Sequence, residues 1–133
     1  MREIAVRSER RTQLIDVTAD VRQALSGELD GASAVLVFSP HTTAGLTLNE
    51  HADPAVARDL EAALERIVDD GWSWQHIEAG EANAPSHVRV SLMSQQLVVP
   101  VSDGQLALGT WQGIFFCEFD GPRRRKVYVT ALR

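Results

Sequence analysis

The amino-acid sequence predicts one α+β domain over residues 1–133, an antiparallel β-sandwich with two helices. Three observations support this fold class. The chain has 133 residues, of which 44% are hydrophobic, so it is long and apolar enough for one buried core. Segments rich in β-branched residues outnumber the two segments with helical periodicity. The strands also occur in blocks rather than in strict β-α-β alternation, which is typical of α+β domains.

The first part of the chain is predicted to form three strands and one helix. The strands cover residues 4–6, 12–15 and 33–38. The third strand is continuous and apolar, which indicates burial on both faces. The helix covers residues 16–25, with Thr18 as its N-cap and Gly27 as its stop signal.

The middle of the chain contains a short strand, residues 46–48, followed by the clearest helix, residues 53–70. Asp53 is the predicted N-cap of this helix, and Pro54 occupies its first turn, where a missing N–H group costs nothing. Apolar residues then repeat at helical spacing as far as the stop signal Gly71.

The last third of the chain is predicted to be β-structure. Residues 87–92 alternate strictly, with Val88, Val90 and Leu92 on one face. Further strands are predicted over residues 97–101, 113–119 and 126–132. The last two of these flank a turn signal of the Asp-Gly type at Asp120.

Composition argues against several classes of function. The formal charge of −5 and the sequence pI of about 5.3 argue against a nucleic-acid partner. No apolar run approaches the ~20 residues of a membrane-spanning helix. The sequence after Met1 lacks the apolar core of a signal peptide, and Cys117 is the only cysteine, so we expect a cytoplasmic protein without an internal disulfide. Glycine-rich phosphate-binding motifs are absent, which argues against a nucleotide cofactor.

Three of the four histidines lie where a fold places binding residues. His41 follows a buried strand, His76 lies in an irregular stretch after the long helix, and His87 begins a predicted strand. Each of them can also be an ordinary surface or hydrogen-bonded histidine, and their spacing matches no known metal motif. His51 directly precedes a helix cap, and we interpret it as structural.

Two further groups of polar residues are candidates for a site. Glu50 ends a strand just before a helix cap, where a carboxylate can act as a general base or hold a metal ion or a histidine. Trp111 and Gln112 lie between Gly109 and Gly113, either in a tight hairpin corner or in the lining of a small-molecule pocket.

Two features near the C-terminus have a structural and a chemical interpretation. The basic run of residues 123–126 is either a solvated face or an element that collects a phosphate. Cys117 alternates within a strand between Phe116 and Glu118, so we predict a packed thiol rather than a nucleophile.

Longer motifs resemble one known family. They are SPHTTAGLTLNE at residues 39–50, ADP at residues 52–54, GTWQG at residues 109–113 and FCEFDGPR at residues 116–123. Together they resemble the YjbQ family over about residues 11–132, and the GTWQ stretch is highly specific. The chain departs from the family pattern at His51, where the family often has Asn or Asp, and at residues 85–86.

The resemblance implies a fold, an assembly and a pocket. The fold is α+β around an antiparallel β-sandwich, and the assembly is a homotrimer. The pocket holds anions or metal ions and is built by His41, His76 and His87, with Asn49, Glu50 and Asp53 nearby. The side chains expected to bind substrate are Thr42, Thr43, Asn49, Asn83, Trp111 and Gln112.

Members of the YjbQ family are described as secondary thiamine-phosphate synthases. The resemblance therefore implies that a pyrimidine pyrophosphate and a thiazole phosphate are joined with release of pyrophosphate, so the partner is a small phosphorylated substrate. His41, His76 and His87 are expected to bind the diphosphate or its divalent metal ion, Mg²⁺ or Zn²⁺, and Glu50 to orient a histidine. Two alternatives stay open: metal-dependent hydrolysis of a phosphate ester, and a trimer that binds an anion or metabolite without turnover.

Overall fold

The computed structural model describes residues 1–78 and 82–133. The strands in these ranges are β1 (Arg2–Arg7), β2 (Gln13–Asp16), β3 (Ala34–Phe38), β4 (Ala44–Glu50), β5 (Gln96–Ser102), β6 (Gln105–Leu106), β7 (Gln112–Glu118) and β8 (Arg124–Leu132). The helices are α1 (Thr18–Ala24), α2 (Pro54–Ile67) and α3 (Ala84–Leu92). The paired strands are antiparallel, so the predicted α+β class is confirmed.

The strands form two sheets. The larger sheet has the order β1-β8-β3-β5-β6, and the smaller sheet has the order β2-β7-β4. In the smaller sheet β4 and β7 are antiparallel, so Ala44 pairs with Glu118 at one end and Glu50 pairs with Gln112 at the other. The two ends of this sheet carry different sets of polar side chains.

Alternate residues of β7 face two hydrophobic cores. Ile114 and Phe116 belong to the core between the two sheets, to which α1 contributes Val21. Phe115 and Cys117 belong to a second core, which includes residues of α2 and α3. The molecule is therefore a sandwich of two sheets, with α2 and α3 covering the second face of the smaller sheet.

The larger sheet has one face in the core and one outer face. Val35 and Val37 of β3 are fully buried, whereas Phe38 on the other face is 37% exposed. Leu36 pairs with Val98 of β5 on the same outer face, and Val98 is 59% exposed. The prediction that residues 33–38 are buried on both faces is therefore wrong.

The segment predicted as a strand over residues 87–92 is helix α3, so the described ranges contain three helices rather than two. The alternation in this segment does not report burial, because Val90 is buried while Leu92 is 53% exposed. Asn83 is the N-cap and Pro85 lies in the first turn, and proline is compatible with that position of a helix. These signals outweigh the alternating pattern.

Two buried polar side chains fasten α3 to its neighbours. The Ser86 hydroxyl donates to a backbone carbonyl just after β7. The Arg89 guanidinium, 1% exposed, donates to the carbonyls of Leu64 and Val68 at the end of α2. A cation at a helix C-terminus is favourable because the last carbonyls lack partners within the helix. These contacts fix the position of α3, and with it that of His87.

The other two helices begin close to their predicted positions. The Asp53 carboxylate accepts a hydrogen bond from the Ala55 amide at 2.9 Å, so the predicted cap of α2 is confirmed. Thr18 is the first residue of α1 rather than its cap, and its amide donates to Asp16 Oδ1 at 2.9 Å. No helix in residues 1–78 and 82–133 is both long enough and apolar enough to cross a membrane.

Candidate functional site

Four segments of the chain meet where β4 begins and β7 ends. They are the β3–β4 loop, the irregular segment after α2, the start of α3 and the turn after β7. The polar side chains that these segments contribute are those of His41, Thr42, His76, Asn83, His87 and Asp120.

His76 and His87 lie side by side, with ring centroids 5.3 Å apart and ring planes at 69°. Asn83 holds the first of these rings. Its Nδ2 donates to Asp120 Oδ2 at 2.8 Å, and its Oδ1 is therefore the acceptor for the His76 Nε2–H at 3.0 Å. Three of the predicted site residues, His76, His87 and Asn83, are thus brought together.

The β3–β4 loop holds His87. Its Nδ1 lies 3.0 Å from the Thr42 carbonyl oxygen. Because a carbonyl only accepts hydrogen bonds, Nδ1 carries the proton, and Nε2 has a lone pair in the neutral imidazole. By the same reasoning the neutral His76 ring has its lone pair on Nδ1. Each ring therefore has one nitrogen outside these hydrogen bonds.

His41 is adjacent to Thr42 in sequence, but its ring faces the larger sheet. Its Nε2 lies 3.1 Å from the backbone amide nitrogen of Lys126 and 3.0 Å from the backbone carbonyl oxygen of the same residue. Its ring meets the Phe116 ring edge-on, with the ring centroids 6.2 Å apart. Burial and the nearby Arg125 charge lower the pKa of His41 below its ordinary value. His41 therefore adjoins the histidine pair through the backbone of Thr42 and is held towards its neutral form.

A buried ion pair lies beneath this end of the smaller sheet. Glu118 is fully buried, and its Oε1 accepts hydrogen bonds from Arg125 Nε at 2.8 Å and from the Ser8 hydroxyl at 2.7 Å. Burial acts to raise the pKa of Glu118, but these hydrogen bonds outweigh burial and lower it. Arg125 also donates to Thr43 Oγ1 at 2.8 Å, so the predicted substrate residue Thr43 is a buried member of this network.

A cavity of about 500 Å³ opens beside His76. Its lining includes Arg11, Asp70, Trp72, Trp74, His76 and Asp120. The Trp72 ring is 5.7 Å from the Trp74 ring, and Trp72 is 53% exposed. Arg11 forms a two-point ion pair with Asp70 at 2.8 and 2.9 Å. The cavity thus combines an aromatic wall, an ion pair and one ring of the histidine pair.

Four predicted site residues lie at the other end of the smaller sheet, namely Asn49, Glu50, Trp111 and Gln112. Glu50 is separated from Ala44 by the length of β4, about 20 Å at the usual rise of a strand. Asn49 Oδ1 accepts from the Glu50 amide at 2.8 Å, and Gln112 Oε1 accepts from the Gly109 amide at 2.8 Å. Gln112 thus closes a local turn, and within one chain these residues are remote from the histidine pair.

His51 forms a separate pair with Asp16 at that remote end. Its Nδ1 lies 2.8 Å from Asp16 Oδ2. A Cβ atom at Gly113 would lie 2.6 Å from the His51 ring, so this position requires glycine. The arrangement agrees with the structural interpretation of His51.

Few side chains at the histidine pair are placed to bind a metal ion. Residues 1–78 and 82–133 contain no group of three or more His, Cys, Asp or Glu side chains arranged to hold a metal ion. His41 faces Lys126, whereas His76 and His87 face each other. The two nitrogens of the pair that lie outside the hydrogen bonds, His76 Nδ1 and His87 Nε2, are potential metal ligands. Because imidazole nitrogens suit Zn²⁺ better than Mg²⁺, such a site favours Zn²⁺.

Three side chains of this region, those of Trp72, Trp74 and Asp120, were not predicted from the sequence as site residues. Trp72 and Trp74 stand two residues apart in the segment between Gly71 and His76, and this density of indoles in an irregular segment is a signal for a cavity wall. Asp120 was assigned only to a turn, yet it is the partner of Asn83. Nothing local in the sequence indicates that contact, because the two residues belong to different elements.

Fold and site together define a class of protein: a small α+β domain with two antiparallel sheets, in which a pair of histidines and an aromatic cavity lie at one end of a three-stranded sheet. Residues 2–133 match the family described as UPF0047 protein YjbQ-like. The chain therefore belongs to the YjbQ-like UPF0047 family.

Relatives and solved structures agree with this membership. The UPF0047 protein YugU of Bacillus subtilis is 40% identical over 134 residues, which cover 99% of this chain and 98% of the relative. A UPF0047 protein of Methanocaldococcus jannaschii is 40% identical over 127 residues, which cover 96% of this chain and 90% of the relative. The crystal structure of an uncharacterised YjbQ/UPF0047 protein from Clostridium acetobutylicum is 39% identical, with a TM-score of 0.92, and covers 99% of this chain and 100% of that chain.

Proposed function

We propose that the histidine pair binds the phosphate groups of a small phosphorylated substrate and that the reaction is of the thiamine-phosphate synthase type. The observation that carries this proposal is the position of the pair. His76 and His87 stand 5.3 Å apart, and His76 also lines the cavity of about 500 Å³ that is walled by Trp72 and Trp74. Phosphate-binding groups and an aromatic surface are thus adjacent, as a heteroaromatic pyrophosphate requires.

The reaction needs its leaving group stabilised. The thiazole nitrogen attacks the methylene carbon of the pyrimidinylmethyl pyrophosphate and forms a C–N bond, while the C–O bond breaks and pyrophosphate leaves with the electron pair. Negative charge therefore accumulates on the leaving oxygen in the transition state. Donors that are already in place at that position lower the barrier without further reorganisation.

Residues of this chain can meet those needs. When protonated, His76 Nδ1 and His87 Nε2 donate to the pyrophosphate oxygens, and the same protons add positive charge there. Asn83 is a positioning residue, because it holds His76 through Nε2 at 3.0 Å. The Trp72 indole, which is half exposed at the cavity, is the surface on which the pyrimidine ring stacks.

The test is an assay with the two precursors that follows thiamine phosphate and pyrophosphate together. We expect equal amounts of both products and a loss of activity of at least about tenfold in His76→Ala and in His87→Ala. His51→Gln is the matched control, because it removes a histidine from the remote end of the sheet. No product from the wild-type protein, or full activity in both alanine variants, contradicts the proposal.

Metal-dependent hydrolysis of a phosphate ester is the second candidate. It is favoured by the hydrogen bonds that leave His87 Nε2 and His76 Nδ1 as free donors to a metal ion. A bound divalent ion supplies charge stabilisation and an activated water. Zn²⁺ in the purified protein together with phosphate release from an ester, without thiamine phosphate, identifies this candidate. Tight binding of pyrophosphate without turnover identifies the non-catalytic alternative.

A homotrimer is part of the same proposal. The outer face of the larger sheet carries an apolar patch, in which Phe38 stacks on Tyr128 at 6.4 Å and Val98 is 59% exposed. A second copy of the chain is the proposed occupant of this patch, because exposed apolar patches mark interfaces and most soluble oligomers are homo-oligomers. We expect light scattering to give three times the chain mass of 14.6 kDa and Val98→Glu to lower that mass. A monomeric wild-type protein contradicts the assembly.

Glu50 can share a substrate with the histidine pair only across a subunit boundary, because about 20 Å of β4 separates them within one chain. We therefore propose that a neighbouring subunit supplies Glu50. The test mixes inactive Glu50→Gln and inactive His87→Ala chains by unfolding and refolding them together. A shared site recovers part of the activity in the mixture, whereas a site confined to one chain recovers none.

A further inference from the structure

A second concave surface lies between the end of β1 and the start of β8. Its volume is about 530 Å³, and it is lined by Arg7, Ser8, Glu9, Pro122, Arg123 and Arg124. Three of these side chains are guanidinium groups and one is a carboxylate, in a chain whose formal charge is −5. The groove therefore concentrates positive charge on a protein that is acidic overall.

Arg7 and Arg124 lie directly opposite each other in the β1–β8 ladder. Side chains in such a pair project from the same face with Cβ atoms about 5 Å apart, and like charges there destabilise a sheet. Within the described parts of the chain, the arginine ion pairs belong to Arg2, Arg10, Arg11, Arg89, Arg123 and Arg125. Among these described residues, therefore, no salt bridge offsets the repulsion between Arg7 and Arg124.

The floor of the groove is held by buried hydrogen bonds. Ser8 is 2% exposed, its amide donates to the Arg123 carbonyl at 3.0 Å, and its Oγ accepts from the Arg123 amide at 2.9 Å. A Cβ atom at Gly121 would lie 2.2 Å from the Arg10 carbonyl oxygen and 2.6 Å from Ser8 Oγ. Glycine therefore lets the turn before β8 approach the β1–β2 connection, and the backbone that carries the arginines is fixed in advance.

Arg123 is also oriented. Its Nε donates to the Asp120 carbonyl and its Nη2 to Asp120 Oδ2, both at 2.8 Å. Asp120 Oδ2 accepts from Asn83 as well, and Asn83 holds His76. Arg123 is thus connected to His76 of the histidine pair through two side chains, Asp120 and Asn83, and three hydrogen bonds.

We propose that this groove is a second anion site, in which Arg7 and Arg124 bind the phosphate group of a small molecule between them. A dianion cancels the repulsion that the register creates, and the planar guanidinium group donates to phosphate oxygens in pairs. The groove is larger than a phosphate ion needs, which favours a phosphate ester. The inference goes beyond the proposed function and does not depend on it.

Sulfate is a suitable first probe, because it stays dianionic between pH 5.5 and pH 8. We expect the part of its affinity that is lost in Arg7→Gln or Arg124→Gln, measured by calorimetry, to be constant over this range, since arginine keeps its charge. Arg7→Gln and Arg124→Gln each weaken binding about tenfold, the usual effect of losing a charge-assisted hydrogen bond. Arg66→Gln is the matched control, since it removes the same charge from the exposed end of α2.

Thermal unfolding gives a second readout. Without sulfate, Arg124→Gln melts above the wild-type protein, because the repulsion with Arg7 is gone. With saturating sulfate, the wild-type protein gains the larger increase in Tm, because it binds the ion more tightly. At pH 8, stronger binding of glycerol phosphate than of inorganic phosphate identifies an ester as the occupant, and equal binding identifies the free ion.

Three results overturn the proposal. The first is a lack of sulfate binding by the wild-type protein. The second is an equal loss of affinity in Arg66→Gln, which reduces the effect to net charge. The third is sulfate binding that strengthens as the pH falls and disappears in His87→Ala while Arg124→Gln is unaffected, because that result places the ion at the histidine pair.

Discussion

The rings of His76 and His87 lie 5.3 Å apart, and each ring is held by a hydrogen-bond acceptor from a different part of the chain. Asn83 Oδ1 holds the first ring and the Thr42 carbonyl holds the second. Two positively charged imidazolium rings at this distance repel each other. A bound anion removes that repulsion, whereas a bound cation requires both rings to be neutral.

The first prediction is that anion and metal binding respond to pH in opposite directions. Pyrophosphate is bound better by a protonated imidazole than by a neutral one, so the histidine contribution to pyrophosphate affinity is expected to be larger at pH 5.5 than at pH 8. That contribution is the loss of affinity in His76→Ala or His87→Ala, measured by calorimetry at each pH. The loss of Zn²⁺ affinity in the same variants is largest at pH 8.

His51→Gln is the control for this experiment, because its ring pairs with Asp16 at the remote end of the sheet. Either alanine variant, if folded and unchanged in affinity for both ligands, excludes that histidine from the site. A change in His51→Gln larger than those in the other two variants moves the site to the other end of the sheet.

The second prediction concerns Asn83, which connects His76 to Asp120. Asn83→Leu keeps the number and branching of the side-chain heavy atoms but removes both hydrogen bonds. We expect pyrophosphate affinity to fall about tenfold, the usual cost of one lost hydrogen bond to a binding group. The NMR signal of the His76 ring is expected to broaden, because the ring loses its acceptor. Unchanged affinity in a folded Asn83→Leu protein shows that the position of His76 does not depend on this amide.

The third prediction concerns the thiol of Cys117. The side chain is fully buried in β7, and burial raises its pKa to about 12, so the thiol stays protonated at neutral pH. Cys117→Ala is therefore expected to keep full activity and to lower the free energy of unfolding by about 1–2 kcal/mol, as a modest core substitution does. Urea unfolding and the precursor assay measure the two effects. A folded but inactive Cys117→Ala protein means that the thiol takes part in the chemistry.

Local signals in the sequence were sufficient for some elements and insufficient for α3. Asp53 and Pro54 mark the start of α2 by interactions within one helical turn, and this prediction is confirmed. The identity of α3 depends partly on Arg89, which reaches the carbonyls at the end of α2. Arg89 is buried because it binds the end of another helix, so its charge does not mark an exposed face of a strand. The alternation of polar and apolar residues over 87–92 therefore gives the wrong type of secondary structure.

The candidate site was predictable in the same partial way. His76 and His87 are brought together, although neither follows a metal motif, because a loop and a helix end can reach the same sheet edge. The family resemblance placed Glu50 near His41, and the two residues lie in one continuous motif. Neighbouring residues of a strand are about 3.3 Å apart along its axis. Two residues that are close in sequence can therefore lie at opposite ends of a sheet.

The last prediction uses His41, whose pKa is lowered by burial and by the nearby Arg125 charge. The unfolded chain then binds more protons than the folded chain as the pH falls. The stability associated with the neutral ring is therefore complete above the ordinary pKa of about 6.5 and is lost as the pH falls through the lower pKa of the folded state. His41→Gln cannot gain this proton, so its free energy of unfolding in urea is expected to change less between pH 7 and pH 5 than that of the wild-type protein. Arg66→Gln, which keeps the histidine, retains the wild-type dependence, and an equally steep dependence in His41→Gln means that another group is responsible.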